Sequence, residues 1–267
     1  MTAAGSKSMA APAADPVTPM TDAWTGEAGA LLERAVARHG GWAAWEALDR
    51  VTLEMRALSG LVPAMKGVGR TFPRPSRIDV YPRAFRAVFH DYPAIGQRGV
   101  FDAGAVQLLD GNGAAVAANA DHRRSFRGLR KWRRWSPADA LYFFGYAVTH
   151  YHSLPFTLRE GRPLRMCRVR CDGKELTGVD VELPAALHTH SRRQSFYFDD
   201  TGLLRRHDYV ADIVGWMVRG AHLWRDFTSA HGIQIPRERH VVARIGRAAT
   251  PLVALYARLE VSSGRAT

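Results

Sequence analysis

The sequence predicts a β-rich α+β protein built on one antiparallel, strongly curved sheet wrapped around a single buried helix. Three observations predict it. The run 188–242 alternates apolar and polar residues in segments parted by tight turns, Asp199-Asp200-Thr201-Gly202 and Ala230-His231-Gly232, as consecutive antiparallel strands do. Asp110-Gly111-Asn112-Gly113 marks another hairpin. The segment 137–149 is apolar nearly all round, which suits a helix enclosed on several sides.

In chain order, residues 1–25 are rich in Ala, Pro, Ser and Thr with one Lys, and are expected to form a disordered tail. They lack the continuous apolar core of about 7–15 residues that a secretory signal needs. Residues 26–262 are read as one domain. Ala28, Leu31, Leu32, Ala35 and Val36 recur at helical spacing and Gly40-Gly41 ends that helix. Trp42, Trp45 and Leu48 follow on a short helix that plugs the end of a core. Val51, Leu53 and Met55 alternate with Thr52, Glu54 and Arg56, so 51–57 is a half-buried strand. Further strands are expected at 68–72, 77–81, 85–90, 99–102, 106–109 and 114–118. Ser136 as cap with Pro137 behind it opens the apolar helix. Strands resume at 164–171, 178–183, 193–198, 203–213, 222–228 and 233–245, and 252–261 is one more strand or a helix.

The length of 267 residues allows a single β-rich domain with a sizeable core. No apolar run approaches the roughly 20 residues of a spanning helix. Cys167 and Cys171 would lie roughly 13 Å apart on one strand, beyond the reach of a disulfide. Free thiols suit a reducing compartment, so the cytoplasm is the expected location.

The net charge of +12 is clustered in part. Between His122 and Trp135 stand Arg123, Arg124, Arg127, Arg130, Lys131, Arg133 and Arg134, interleaved with Phe126 and Trp132. The segment reads as a solvated lid whose arginine stems cover apolar surface, or as a contact for an anionic membrane surface through Arg123 to Arg134. Nucleic acid is disfavoured, because none of the usual nucleic-acid motifs is present. His150 and His152, and His188 and His190, form two His-X-His pairs, but nothing in their spacing brings three or four ligands together. No metal and no cofactor are expected. No P-loop, nucleophile elbow or dinucleotide fingerprint is found.

The helix ending His-Gly-Gly-Trp-Ala-Ala-Trp-Glu-Ala-Leu, the Tyr-Phe-Asp-Asp-Thr-Gly-Leu-Leu-Arg-Arg hairpin and the later Asp-Phe-Thr-Ser-Ala-His-Gly-Ile-Gln-Ile-Pro-Arg resemble the LolA-like superfamily of lipoprotein carriers and lipid-binding domains over about residues 27–247. The resemblance implies an incomplete β-barrel in which two or three helices plug an apolar cavity. It also implies binding of acyl chains, in members that mostly work outside the cytoplasm. The expected function is therefore binding of a hydrophobic small molecule or lipid, with Met55, Phe143, Tyr146, Phe196, Phe198, Trp216 and Trp224 lining the cavity. The alternative is a cyclase- or hydrolase-type enzyme acting on an apolar metabolite there, with His150, His188, His190 and Asp208 as its polar centre.

Overall fold

The computed structural model describes residues 23–262 apart from 71, 73 and 74. Most of the expected tail lies outside the described residues. Its end does not: Trp24 is buried, and its indole Nε1 donates to the Gly161 carbonyl over 2.8 Å.

Helices α1 (Gly26–Arg38) and α2 (Gly41–Ala47) come first. Strands β1 (Val51–Ser59), β2 (Ser76–Tyr81), β3 (Arg86–His90), β4 (Arg98–Asp102), β5 (Ala105–Leu109) and β6 (Ala115–Asn119) form one meander. After helix α4 (Pro137–Ser153) a second meander runs through β7 (Arg162–Cys171), β8 (Lys174–Glu182), β9 (Arg193–Phe198), β10 (Leu204–Val210), β11 (Arg219–Ala230), β12 (Ile233–Ile245) and β13 (Ala248–Val261). The ends of the two meanders pair, β1 against β13, giving one open antiparallel sheet ordered β6-β5-β4-β3-β2-β1-β13-β12-β11-β10-β9-β8-β7. The expectation of a single antiparallel sheet holds, and 252–261 is strand.

One expected strand is not present. Residues 61–66 form a short helix, α3 (Leu61–Lys66), followed by a 3-10 turn at Val68–Arg70. Gly67 takes a left-handed φ of 72° as the cap of α3, which reverses the chain where continuous β-pairing would be needed. Val68 and Phe72 still point into the core.

Helix α4 is set by a capping box, with Asp139 N donating to Ser136 Oγ (3.2 Å) and Ser136 N to Asp139 Oδ2 (2.9 Å). It lies inside the curve of the sheet. One side meets β4, where a Cβ on Gly145 would come within 2.4 Å of Phe101. The other meets β9 to β11, through His150 against Phe196 and Tyr151 against His222 and Trp224. Only residues on both flanks explain why its apolar surface has no solvent face.

The segment 122–135 forms two 3-10 turns, His122–Phe126 and Gly128–Trp132. His122, Phe126 and Trp135 anchor it, while Arg124, Arg127, Arg130, Arg133 and Arg134 stay in water and Arg123 and Lys131 are half-buried. Exposure of these cations is what the cost of burying unpaired charge requires.

Candidate functional site

The concave face is laid out by register. Phe196, His207, His222, Val241 and Leu255 are successive partners across β9, β10, β11, β12 and β13. One rung away, Trp224 pairs with Arg239, and Arg239 with Ala257. Helix α4 lowers Phe143, Phe144, Ala147, Val148 and Tyr151 onto this surface, leaving a narrow cavity of about 60 Å³. Met55, Ile78 and Phe89 form its apolar flank, and Tyr151, Tyr209, His222 and Arg239 its polar end.

Phe143, Tyr209, Val241 and Leu255 also border a second, wider pocket of about 230 Å³ at the rim of the sheet. The two spaces share these four residues. The rim pocket is walled by Leu61, Val62 and Met65 of α3, by Val214, Met217 and Val218 of the β10–β11 loop, and by Leu252 and Ala254 of β13. The basic segment borders this mouth. Trp135 N donates to the Lys66 carbonyl of α3 over 3.0 Å, Lys66 Nζ donates to the Lys131 carbonyl, and Trp132 packs beside Gly215 of the loop.

The polar end is a chain of rings. His190 stacks on Tyr209 at 3.9 Å and bonds the Tyr146 hydroxyl (2.9 Å) and the Tyr151 hydroxyl (2.5 Å). Tyr151 lies 3.3 Å from the Tyr209 hydroxyl and 4.5 Å, ring to ring, from His222. His207 stacks on Phe196 and bonds Gln194 Oε1. Burial pushes the imidazoles of His150 and His152 down to about 4 and about 3, and those of His190, His207 and His222 well below the ordinary value. Burial raises Tyr151 and Tyr209. All these groups are therefore neutral at pH 7.

Arg239 is the exception. It is 2% exposed and has no carboxylate partner among the described residues. Its Nη2 donates weakly to His152 Nε2 at 3.4 Å, a nitrogen left as acceptor because His152 Nδ1–H donates to the Val148 carbonyl over 2.7 Å. The guanidinium lies 4.6 Å from the Trp224 ring and 5.4 Å from that of Tyr151. Its Nε and Nη1, the Trp224 Nε1 and both ring nitrogens of His222 have no hydrogen-bond partner among the described residues. Desolvation lowers the guanidinium to about 9, so it stays charged at neutral pH. A desolvated cation–π contact returns about 2 kcal/mol, against several kcal/mol for burying an ion. The rings therefore offset only part of the cost. Sequence reading did not single out Arg239, because one Arg in an alternating, Arg-rich strand carries no signal of its inward face.

Of the expected lining residues, Met55 and Phe143 border the cavity. Tyr146, Phe196 and Trp224 stand behind its polar end through His190, His207 and Arg239. Phe198, paired with Leu204, is buried in the main core away from this wall. Trp216 is placed differently: it is 68% exposed, at the tip of the loop 211–218. Alternation ends at Val210, and the bonds Ala211 N to Val218 O and Gly215 N to Ala211 O turn the chain outward.

The expected polar centre does not assemble. His207 and Tyr209 face inward, so Asp208 between them projects to the opposite face, as period-2 geometry demands. There it accepts from Arg206 Nε (2.7 Å) and Nη2 (2.9 Å). His188, in the segment between β8 and β9, shares a hydrogen bond with the Tyr142 hydroxyl near the start of α4 at 2.7 Å, apart from His150 near its end. Among the described residues no three His, Cys, Asp or Glu side chains are grouped to hold a metal ion. Cys167 and Cys171 are free and pack with Val169, Leu176 and Tyr197.

No known family and no curated protein matches this chain. Solved structures similar to it include a LolA superfamily protein from Nitrosomonas europaea, 11% identical, with a TM-score of 0.47 over 90% of this chain and 93% of that one. A DUF1329 family protein from Desulfovibrio piger is 14% identical, with a TM-score of 0.43 over 90% of this chain and 92% of that one.

Proposed function

We propose that the protein binds a hydrophobic small molecule or lipid on the concave face of its sheet. The observation that carries this is the continuity of apolar wall from Met55, Ile78 and Phe89 past Phe143, Val241 and Leu255 to the rim pocket. Apolar surface left facing space inside a fold, and open at one end, is what a hydrophobic ligand would cover. Among the described residues no carboxylate bonds His150, His152, His190, His207, His222 or Arg239, which weighs against the acid–base alternative.

The test is direct binding of the neutral fluorophore N-phenyl-1-naphthylamine to the purified protein, with native mass spectrometry of co-purified lipid. Saturable binding is expected, and Ala147→Phe, which fills the cavity from α4, should abolish it while the protein stays folded. Absence of saturable binding to the wild type would overturn the reading.

We also propose that the mouth meets an anionic lipid surface. Leu61, Met65, Leu129, Trp132, Trp216, Met217 and Leu252 are exposed around it. Arg127, Arg133 and Arg134 beside them have no ion pair among the described residues. Apolar tips ringed by cations suit an interface where acyl chains meet charged headgroups.

A further inference from the structure

We infer that Arg239 is an anion-binding residue, and that the ligand is an amphiphile with one carboxylate headgroup and an unbranched apolar tail, of the fatty-acid class. The inference rests on the proposed ligand cavity and names the chemistry at its inner end.

Three features converge there. The first is an unpaired cation in the wall of an apolar cavity, with Nε and Nη1 donating to nothing among the described residues. The second is the balance of donors and acceptors. Trp224 Nε1 is a donor only, and neutral His222 keeps one N–H and one bare nitrogen without a partner. Behind the inner end of the cavity the N–H groups thus outnumber the acceptors, and buried polar groups are ordinarily satisfied. The third is the contrast with the other buried cations. Arg206 is met by both oxygens of Asp208 and by the Arg247 carbonyl, and Lys66 Nζ by the Lys131 carbonyl. The fold supplies acceptors to buried cations elsewhere and supplies only a weak one, His152, to Arg239.

An acceptor brought by a ligand completes the set. A single guanidinium among neutral imidazoles and phenols matches one negative charge; a phosphate near dianionic would leave charge uncompensated in a dry site. The tail would then run past Phe143, Val241 and Leu255 to the mouth, since those residues join the two spaces.

The experiment compares dodecanoate, 1-dodecanol and dodecyl phosphate by isothermal titration calorimetry against wild type, Arg239→Met and Arg239→Lys. Wild type should bind dodecanoate at least about tenfold more tightly than the alcohol, the advantage of one charge-assisted hydrogen bond. Arg239→Met should erase that preference and keep alcohol binding, and Arg239→Lys should keep part of it. Equal binding of dodecanoate and alcohol by wild type, or an unchanged preference in Arg239→Met, would overturn the anion site and leave the apolar cavity standing. Tighter binding of dodecyl phosphate would overturn the carboxylate assignment. No binding of any of the three would overturn the cavity reading itself, and this inference with it. The wild-type comparison decides even if a variant fails to fold.

Discussion

Arg239 and Trp224 are register partners across β11 and β12, and the guanidinium lies 4.6 Å from the indole centroid. The pairing puts a charge against a ring deep inside the sheet, beside neutral His222 and Tyr209 and apolar Met55, Val241 and Leu255. Arg206, two strands along, is as deeply buried but has Asp208. The two arginines therefore differ in what their loss leaves behind.

Arg206→Met should destabilise the fold by about 3–5 kcal/mol, because Asp208 would stay buried without its bidentate partner, with only Arg244 Nε at 3.8 Å. Arg239→Met should be neutral or stabilising, since it removes an unpaired buried charge and strands no counter-ion. Chemical denaturation of the two variants without added ligand measures the difference. An equal and large loss in both would show that Arg239 is held by contacts as strong as an ion pair.

Acid should unfold the protein through its interior histidines. The imidazoles of His39 and His150 are lowered to about 4 and that of His152 to about 3. A lowered pKa in the fold means that the unfolded chain takes up protons first. Stability is complete above the unfolded value near 6.5 and falls as pH drops from there toward 4, by about 1.4 kcal/mol per pH unit for each such histidine. Denaturant midpoints between pH 7 and pH 4 check this. A flat profile would mean that these rings titrate normally.

Gly145→Ala should destabilise despite the better helix propensity of alanine, worth about 1 kcal/mol. The added Cβ would meet Phe101 at 2.4 Å, and overpacking a core costs typically about 1–3 kcal/mol. The paired variant Gly145→Ala with Phe101→Leu should recover part of the loss. Thermal melts of the single and double variants read it.

Binding to vesicles containing anionic lipid should depend on salt and on the mouth. Raising ionic strength from about 0.1 M to about 1 M shortens the screening length from about 10 Å to about 3 Å, so co-sedimentation should drop. Replacing Arg127, Arg133 and Arg134 together by Ser should lower it at low salt. Trp216→Ser should weaken what remains at high salt, because its exposed indole supplies apolar contact. Equal sedimentation with neutral and anionic vesicles would remove the electrostatic part of the proposal.

Much of the fold was legible because it is local. Alternation through 193–198 and 233–245, the turns at Asp199 to Gly202 and Asp110 to Gly113, and the Ser136-Pro137 start of α4 each express a backbone preference within a few residues. Such signals read the same in any fold. The helix at Leu61–Lys66 was not legible, because Val68 and Phe72 are as apolar in a 3-10 plug as in a strand, and only Gly67 marks the reversal.

The sequence by itself determined the two meanders, the buried helix between them and the exposed basic segment. The tertiary structure alone decided that β1 pairs with β13, a contact between the chain's two halves that no local pattern encodes. That closure sets which side of each strand faces α4. Turning inward puts His207, His222 and Arg239 at one end of a cavity, while Asp208 and Arg206 lie on the far side of β10 and Trp216 is left in water at a loop tip. Alternation specifies that neighbours on a strand part ways, but only packing against a distant element says which way is in.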